Sequence, residues 1–398
     1  MKMILSLLLC SAFIGTAQAQ TPTPTQVQAK PYLDIQEIKT PKGLSVWFVQ
    51  DKNIPVMTLK FSLKGGAQLD PPGKEGTAEL LSALFDEGAG KRDAETFQNV
   101  MDEYGIKIGF SATRDSFNGN LKTTTQHRDM ADELFDDALN RPQFTDEAVA
   151  RMKAALLSSL RFQRMDPNWL ANKKLFETLF AGQAYARPVE GTPETLPKLT
   201  AGDLRGEKDT LFCRQRLKIA IVGALEKQEV IDTADLFFGN WPECKTPVVD
   251  APQIIKNAGK DIHVPWDGAQ SVVVMAQPGI ARQDKDWWAA RILDFALGGG
   301  EFSSRLMEEV RVKRGLTYGV SSGIAPYDRA PLWLVQAGVD PAKTDEAISV
   351  IKKIWGEVSA NGLTDEEIKQ AKDYLIGSLP LALTSTDAIA SVLLQLQE

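Results

Sequence analysis

Residues 145–160 read TDEAVARMKAALLSSL, and residues 364–379 read TDEEIKQAKDYLIGSL. The two segments align without gaps at a shift of 219 positions, and seven of the sixteen residues are identical. Each begins with Thr-Asp-Glu, which is typical of a helix start because acidic side chains are favourable in the first turn. Residues 104–109 and 314–319 give a second match at a similar shift of 210. The sequence therefore predicts two copies of one structural unit.

Each copy is predicted to begin with strands and to pass through helix, strand and helix. In the first copy, Gly43–Val49 and Val56–Leu63 have strand-like sequences, and apolar residues alternate with more polar ones in the second of them. Another strand is predicted at Leu217–Val222, where the second copy offers no counterpart. We expect an α+β fold of two repeated α/β units, each a mostly antiparallel sheet with helices on one face.

The chain of 398 residues is long enough for two domains. We predict a first domain over residues 31–242, a linker over 243–259 and a second domain over 260–398. The net charge of −7 and the lack of a long basic run argue against nucleic acid and against an anionic membrane surface as partners.

The first thirty residues are predicted to lie outside the folded domains. Lys2, an apolar run and a small-x-small site at Ala17-Gln18-Ala19 are typical of a secretory signal peptide, which we assign to residues 1–19. Residues 20–30 are rich in Thr, Pro and Gln and are predicted to form a flexible leader. We therefore expect an exported, periplasmic protein without a membrane span.

Removal of the signal peptide leaves two cysteines, Cys213 and Cys244. In an oxidising compartment they are able to form a disulfide, and two separate buried thiols are an equally compatible interpretation. Their spacing and the absence of a neighbouring histidine do not match a zinc signature.

Residues 75–87 read EGTAELLSALFDE and are predicted to form a helix capped by Thr77. This segment resembles the zinc helix of the pitrilysin/insulinase family of metallopeptidases, the inverzincins. In that family, H-x-x-E-H places two histidines one turn apart beside a glutamate base. Here the ligand positions carry Glu79 and Ala83, and the base position carries Ser82. The matching helix thus contains no imidazole.

The other residues expected at a zinc site are missing as well. The segment Leu175–Phe180 resembles a conserved run of the family, and this alignment puts Ser158 or Ser159 at the third ligand position. The chain has two histidines, His127 and His263, which lie in different repeat copies and are predicted to be structural. Because a catalytic zinc site needs three protein ligands, the resemblance implies that this chain binds no metal.

A second family signature remains. Residues 297–306 read LGGGEFSSRL and residues 308–318 read EEVRVKRGLTY, which closely resembles the glycine-rich loop and Arg-x6-Tyr motif of the family's second domain. The resemblance assigns Arg311 and Tyr318 to substrate binding and to transition-state support across the cavity. Two interpretations of the glycines stay open, a close approach to peptide backbone or a tight strand-to-helix turn. The glycines are Gly298, Gly299 and Gly300. Residues 185–194 also resemble a family loop.

The loss of zinc ligands and the retention of Arg311 and Tyr318 imply a divided enzyme. The resemblance favours a non-catalytic, substrate-binding subunit, inactive alone, whose partner is a homologous chain that carries H-x-x-E-H and the zinc. The alternative is a periplasmic peptide-binding or scaffolding protein with no hydrolytic assembly. Relative to the family, the second copy is expected to be shortened by roughly 40–50 residues, so its sheet lacks an edge strand or is covered by another chain.

Overall fold

The structure is a computed structural model that describes residues 32–245, 251–300 and 303–397. The predicted signal peptide, the leader and part of the predicted linker lie outside these residues. We call residues 34–245 the N-terminal half and residues 251–397 the C-terminal half. The strands and helices of the N-terminal half are β1 (Gln36–Lys39), β2 (Ser45–Gln50), β3 (Val56–Lys64), α1 (Thr77–Ser82), β4 (Gly88–Ala89), β5 (Arg92–Asp93), α2 (Ala94–Tyr104), β6 (Lys107–Ala112), β7 (Ser116–Thr124), α3 (Arg128–Asn140), α4 (Asp146–Gln163), α5 (Pro167–Leu179), α6 (Ala201–Leu211), β8 (Leu217–Gly223) and α7 (Lys227–Phe238).

The C-terminal half repeats the central part of this order. Its elements are β9 (Ser271–Pro278), α8 (Trp287–Asp294), two π-helical turns (Phe295–Gly299 and Met307–Val312), β10 (Thr317–Ala325), β11 (Leu332–Val339), α9 (Thr344–Asn361), α10 (Asp365–Ser378) and α11 (Thr386–Gln397). The N-terminal sheet has the strand order β1-β2-β8-β3-β7-β6, and the C-terminal sheet has the order β10-β11-β9. Every pair is antiparallel except β2 with β8. The predicted fold class is confirmed.

Local sequence explains the equivalent helices of the repeat. Thr145 caps α4 by accepting a hydrogen bond from the backbone N–H of Ala148, and Thr364 caps α10 through the N–H of Glu367. The sequence match between residues 104–109 and 314–319 also has a structural cause. Gly105 and Gly315 adopt left-handed φ values of 62° and 59°, each between a helical segment and a strand. Only glycine takes this conformation without strain.

The apolar and the more polar residues of β3 alternate, so the two faces of the strand contact different parts of the protein. Met57, Leu59, Phe61 and Leu63 are fully buried against the helices of the N-terminal half. The opposite face carries Thr58 and Ser62, which are also buried because α11 of the C-terminal half lies across it. The Thr58 and Thr386 hydroxyls are 2.8 Å apart, and Lys60 Nζ donates to Ser391 Oγ at 2.8 Å. The more polar face of the strand is therefore an internal contact surface.

The two halves exchange helices. α11 packs on β3 and β8 of the N-terminal sheet, and α5 packs on β9 of the C-terminal sheet. On α5, Phe176 and Leu179 join a buried cluster with Leu332 of β11. At the 219-residue shift of the repeat, α5 and α11 occupy the same position in their copies. Each sheet thus has its own helices on one face and a helix of the other half on the opposite face.

The two cysteines are bonded. Cys213 and Cys244 form a disulfide with their Cα atoms 4.9 Å apart, which decides between the two alternatives that the sequence left open. The bond ties the segment before β8 to the segment after α7. In the part of the chain that the structure describes, no helix combines the length and apolar character needed to cross a bilayer.

Candidate functional site

The start of α1 is fixed by a buried carboxylate. Asp70 accepts hydrogen bonds from the backbone N–H groups of Gly76 (2.8 Å), Thr77 (3.1 Å) and Ala78 (3.0 Å). Gly76 is the N-cap, with φ 93°, and Thr77 is the first helical residue, whose hydroxyl donates to the Lys74 carbonyl at 2.6 Å. The prediction that Thr77 caps the helix is therefore wrong, because Asp70 satisfies the free N–H groups from outside the segment.

Further buried charges lie beneath this helix start. Burial raises the pKa of Asp70 to about 7, although three backbone donors and Arg187 act in the opposite direction. Burial and the nearby Asp70 raise the pKa of Glu207 to about 8, against the attraction of Arg216 and Arg187. Removing a carboxylate from water disfavours its charged form, so these two acids are held near the point of protonation at neutral pH.

The helix ends inside the five positions that match the zinc motif. Ala83 is the C-cap, and its ψ of 2° takes it out of helical conformation. The Ser82 side chain is buried, and its hydroxyl donates to the Glu79 carbonyl at 2.8 Å. A zinc helix needs its first and fifth motif residues on one face of a continuous turn. The backbone meets this requirement, because the Ala83 N–H donates to the Glu79 carbonyl at 3.2 Å and closes the turn between the two positions. What the helix lacks is ligand side chains, and the Ser82 hydroxyl is occupied within its own helix.

Glu79, at the first ligand position, is partly buried. Burial and, to a lesser extent, Glu190 raise the pKa of Glu79 to about 7. Glu190 belongs to the loop of residues 185–194, which lies against the start of α1: a Cβ on Gly76 would be 2.8 Å from the Gly191 Cα, and Thr195 Oγ1 donates to the Glu75 carbonyl at 2.8 Å. The first ligand position thus carries a carboxylate that faces another carboxylate.

The remaining predicted ligand positions do not complete a metal site. Helix α4 contacts α1, and its Ser158 and Ser159 are exposed. His127 lies in a turn before α3 with its ring 5.2 Å from that of Tyr104, and His263 is exposed in an irregular segment. Among the described residues, no group of three or more His, Cys, Asp or Glu side chains is placed to hold a metal ion. The residues at these positions therefore do not fit a catalytic zinc, and no step through a metal is assigned to this chain.

The glycine-rich segment continues a helix and is not a strand-to-helix turn. Residues Phe295–Gly299 form a π-helical turn directly after α8. A Cβ on Gly298 would lie 2.6 Å from the backbone nitrogen of Ser322, so the missing side chain lets this turn touch β10. Asp294 secures the contact by accepting from Ser322 Oγ at 2.7 Å and from Trp333 Nε1 at 2.8 Å. Close packing of helix on strand explains Gly298.

Arg311 and Tyr318 lie at the two ends of the connection between the second π-helical turn and β10. Arg311 is half-buried in the turn Met307–Val312. Tyr318 stands where the register between β10 and β11 shifts, between Thr317 and Gly319, and 75% of its surface is exposed. The Thr317 hydroxyl accepts from the Gly319 N–H at 3.1 Å and supports this irregularity. A β-bulge re-aims a side chain, and here the tyrosine is presented to solvent.

A polar cluster that the sequence did not reveal joins the two halves. The Tyr185 hydroxyl donates to Asp115 Oδ1 at 2.5 Å and accepts from the backbone N–H of Arg329 at 3.0 Å. Asp115 Oδ2 accepts from the Asp328 N–H at 3.1 Å, and Arg329 Nη1 donates to Gln68 Oε1 at 2.9 Å. Tyr185 opens the family-like loop, which was the only sequence signal; the other members are far apart in the chain and follow no motif.

Comparison with known proteins agrees with this architecture. A family model described as Insulinase (Peptidase family M16) matches residues 46–193, and one described as Peptidase M16 inactive domain matches residues 198–375. Together they extend over most of the described chain. The chain belongs to peptidase family M16.

Relatives of this M16 member differ in the activity that their names state. It is 28% identical to an uncharacterized zinc protease of Streptomyces coelicolor, over 81% of this chain and 72% of that protein. It is 26% identical to the non-peptidase homolog YmxG of Helicobacter pylori, over 96% of this chain and 85% of that protein. A crystal structure of a peptidase M16 inactive domain from Pseudomonas fluorescens superposes with a TM-score of 0.81 at 27% identity and covers 91% of this chain and 86% of its own. The chain is thus similar both to a relative named as a protease and to one named as a non-peptidase. Similarity alone does not distinguish these two classes, so the residues of α1 have to be considered.

Proposed function

We propose that this M16 chain is the non-catalytic subunit of a heterodimeric zinc peptidase and that Arg311 and Tyr318 act on a peptide bound at the zinc of a homologous partner. The observation that carries the proposal is the contrast between the two motifs. The zinc motif has lost its imidazoles and its helix ends at Ala83. The Arg-x6-Tyr motif is intact, and its tyrosine is 75% exposed at a bulge.

The chemistry of the two side chains suits this role. The Arg311 guanidinium offers a fork of donors that matches a carboxylate or a peptide carbonyl. The Tyr318 hydroxyl is able to donate to the carbonyl oxygen that gains negative charge when a zinc-activated water attacks. A donor placed in advance at such an oxygen is worth about 10²–10³ in rate. The zinc and the general base belong to the partner under this proposal.

The proposal includes export to the periplasm. Its support is the signal-like sequence of residues 1–19 and the Cys213–Cys244 disulfide, a bond that persists in oxidising compartments and is rare in the reducing cytosol.

A mixing experiment tests the proposal. The chain and its candidate partner, a homologous H-x-x-E-H subunit, are purified separately and assayed with a quenched fluorescent peptide, alone and mixed. We expect hydrolysis only in the mixture, a fall of about 100-fold for Tyr318→Phe or Arg311→Ala, and unchanged zinc content. Tyr374→Phe serves as the matched control because Tyr374 is also exposed, at 58%.

Complex formation is measured by analytical ultracentrifugation, so that a loss of rate is separated from a loss of assembly. Full cleavage by the partner alone would sink the proposal. Peptide binding by the isolated chain without stimulation of any peptidase would instead support the alternative, a peptide-binding or scaffolding protein.

A further inference from the structure

A polar cavity lies between the N-terminal sheet and helix α11. Its volume is about 280 Å³. The polar side chains that line it come from β3, β6, β7 and α11, and they are Lys60, Ser111, Asn118, Asn120, Ser391 and Gln395. Sites for small molecules commonly measure about 300–1,000 Å³. The cavity is therefore of a size to hold the end or one side chain of a longer ligand.

Lys60 gives the cavity its only charged side chain, because none of the residues that line it is acidic. Lys60 is half-buried, and its Nζ donates to Ser391 Oγ at 2.8 Å. The Ser391 hydroxyl in turn donates to the Asp387 carbonyl at 2.9 Å, while the Asp387 carboxylate is paired with Lys122. Within the described residues, the Lys60 ammonium group has no other acceptor. An ammonium group has three donors, so Lys60 retains donors for an anionic ligand.

The internal repeat shows that the fold does not require these polar side chains. At the shift of 210, Asn120 of β7 corresponds to Gly338 of β11, because their partners on the neighbouring strand correspond. On the next strand, Lys60 lies opposite Asn120, and Val272 lies opposite Gly338. The second sheet thus has valine and glycine where the first has lysine and asparagine, although an exchanged helix packs on both sheets. Packing of the exchanged helix therefore does not explain the lysine and the asparagine.

We propose that this cavity binds a carboxylate group of a peptide, with Lys60 as the cation and Asn120 as a contact for the adjoining peptide group. One ammonium group balances the single charge of a carboxylate. The Asn120 side chain has no hydrogen bond to another described residue, and an amide offers the donors and the acceptor that a peptide group requires. That the ligand is a peptide rests on the proposed function. The carboxylate belongs to the C-terminus or to an acidic side chain, and the experiment distinguishes these two sources.

Titration calorimetry on the whole chain, without any partner subunit, tests this site. The probes are N-acetyl-tetraalanine with a free carboxylate, the same peptide as its C-terminal amide, and an amidated peptide with one internal glutamate. We expect an acid probe to bind with equimolar stoichiometry and roughly tenfold or more tightly than the uncharged amide, because only the acid forms a charge-assisted hydrogen bond. Its affinity should fall as salt is raised. Whichever of the two acid probes binds identifies the source of the carboxylate.

Variants of Lys60 locate the binding site. Lys60→Val introduces the residue that the second sheet has at this place, and valine is well suited to a strand, so the variant should fold. We expect it to lose roughly tenfold or more in affinity for the acid probe, whereas Lys60→Arg keeps the charge and should keep binding. Lys218→Met is the matched control, because Lys218 lies opposite Ser62 on the same face of the sheet and outside the cavity. On the unmodified chain, the bound acid should slow acetylation of Lys60 by an N-hydroxysuccinimide ester but not that of Lys218, as read by mass spectrometry.

Equal affinity for acid and amide, unchanged binding by a folded Lys60→Val variant, or no binding of either acid probe at millimolar concentration would overturn the proposal. If Lys60→Val does not fold, the acetylation measurement decides, and equal labelling of Lys60 with and without the acid would refute the site. The result is separate from that of the mixing experiment. A chain that binds the acid but stimulates no peptidase would keep this site and refute the heterodimer, and stimulation without acid binding would do the reverse.

Discussion

Replacing Tyr185 with phenylalanine removes one hydroxyl from the contact between the two halves. That hydroxyl donates to Asp115 and accepts from the backbone N–H of Arg329 in the C-terminal half. The ring itself packs edge-to-face on Phe180 and lies near Tyr327. Phenylalanine retains this packing, so the substitution isolates the two hydrogen bonds.

The expected loss follows from what each partner keeps. A hydrogen bond to a carboxylate contributes about 1.5–3 kcal/mol, and a donor left without its acceptor costs about 1–3 kcal/mol. Asp115 keeps two other donors, Gln68 Nε2 at 3.1 Å and the N–H of Asp328 at 3.1 Å, so its carboxylate is not left alone. The N–H of Arg329 loses its acceptor. We expect Tyr185→Phe to lower the free energy of unfolding by about 2–4 kcal/mol.

Guanidinium denaturation followed by tryptophan fluorescence measures this loss, with Tyr374→Phe as the exposed control. A double-mutant cycle with Asp115→Ala should give a coupling energy of about 1.5–3 kcal/mol, because the single variants remove opposite ends of one bond. A Tyr185→Phe variant as stable as the unmodified chain, or a coupling energy near zero, would refute the argument that this hydroxyl holds the halves together.

Three other predictions concern stability. Replacing both Cys213 and Cys244 with serine should cost about 3–4 kcal/mol, because the bond closes a loop between residues 31 positions apart; chemical unfolding measures it. Glu207 has a folded pKa of about 8, above its unfolded value, so its stabilising effect at acidic pH is lost as pH rises through about 8. The melting temperature should fall from pH 6 to 9, and less steeply in Glu207→Gln. Gly298→Ala should destabilise by about 1–3 kcal/mol through overpacking, whereas Gly356→Ala, on an open helix face, should stabilise by about 0.5–1 kcal/mol.

Each of these has a contrary outcome. Equal stability of the serine variant in oxidising buffer would mean that the bond constrains nothing. A pH profile that is the same with glutamine at position 207 would remove that carboxyl as its source. Matching effects of alanine at positions 298 and 356 would contradict the close contact between the π-helical turn and β10.

Local features of the fold could be predicted from sequence because their causes are local. Thr145 and Thr364 are each followed by acidic residues and do cap helices. The strand predicted at Val56–Leu63 is β3, and the one predicted at Leu217–Val222 is β8 with one further residue. In both cases side-chain alternation or a run of β-branched residues dictates a half-buried or buried strand.

The geometry of the candidate site could not be predicted, because its causes lie far apart in the chain. Thr77 was predicted to cap the first helix. The side chain that accepts hydrogen bonds from the N–H groups at the helix start is instead Asp70, which lies in the preceding loop. The apolar pattern continues past Ser82, so nothing local announces that the helix ends at Ala83. The three consecutive glycines suggested a loop. Gly298 is required for a different reason, because a side chain at this position would collide with Ser322 of β10. Sequence showed which residues are missing, and the structure was needed to show what the remaining ones touch.

The exchange of α5 and α11 makes the two halves depend on each other for their stability. Each sheet is shielded on one face by a helix that belongs to the other repeat, so one repeat by itself would leave Thr58 and its neighbours without their cover. Each half therefore depends on the other for the helix that covers the second face of its sheet. Cutting the present chain between its halves should accordingly yield two pieces that remain together.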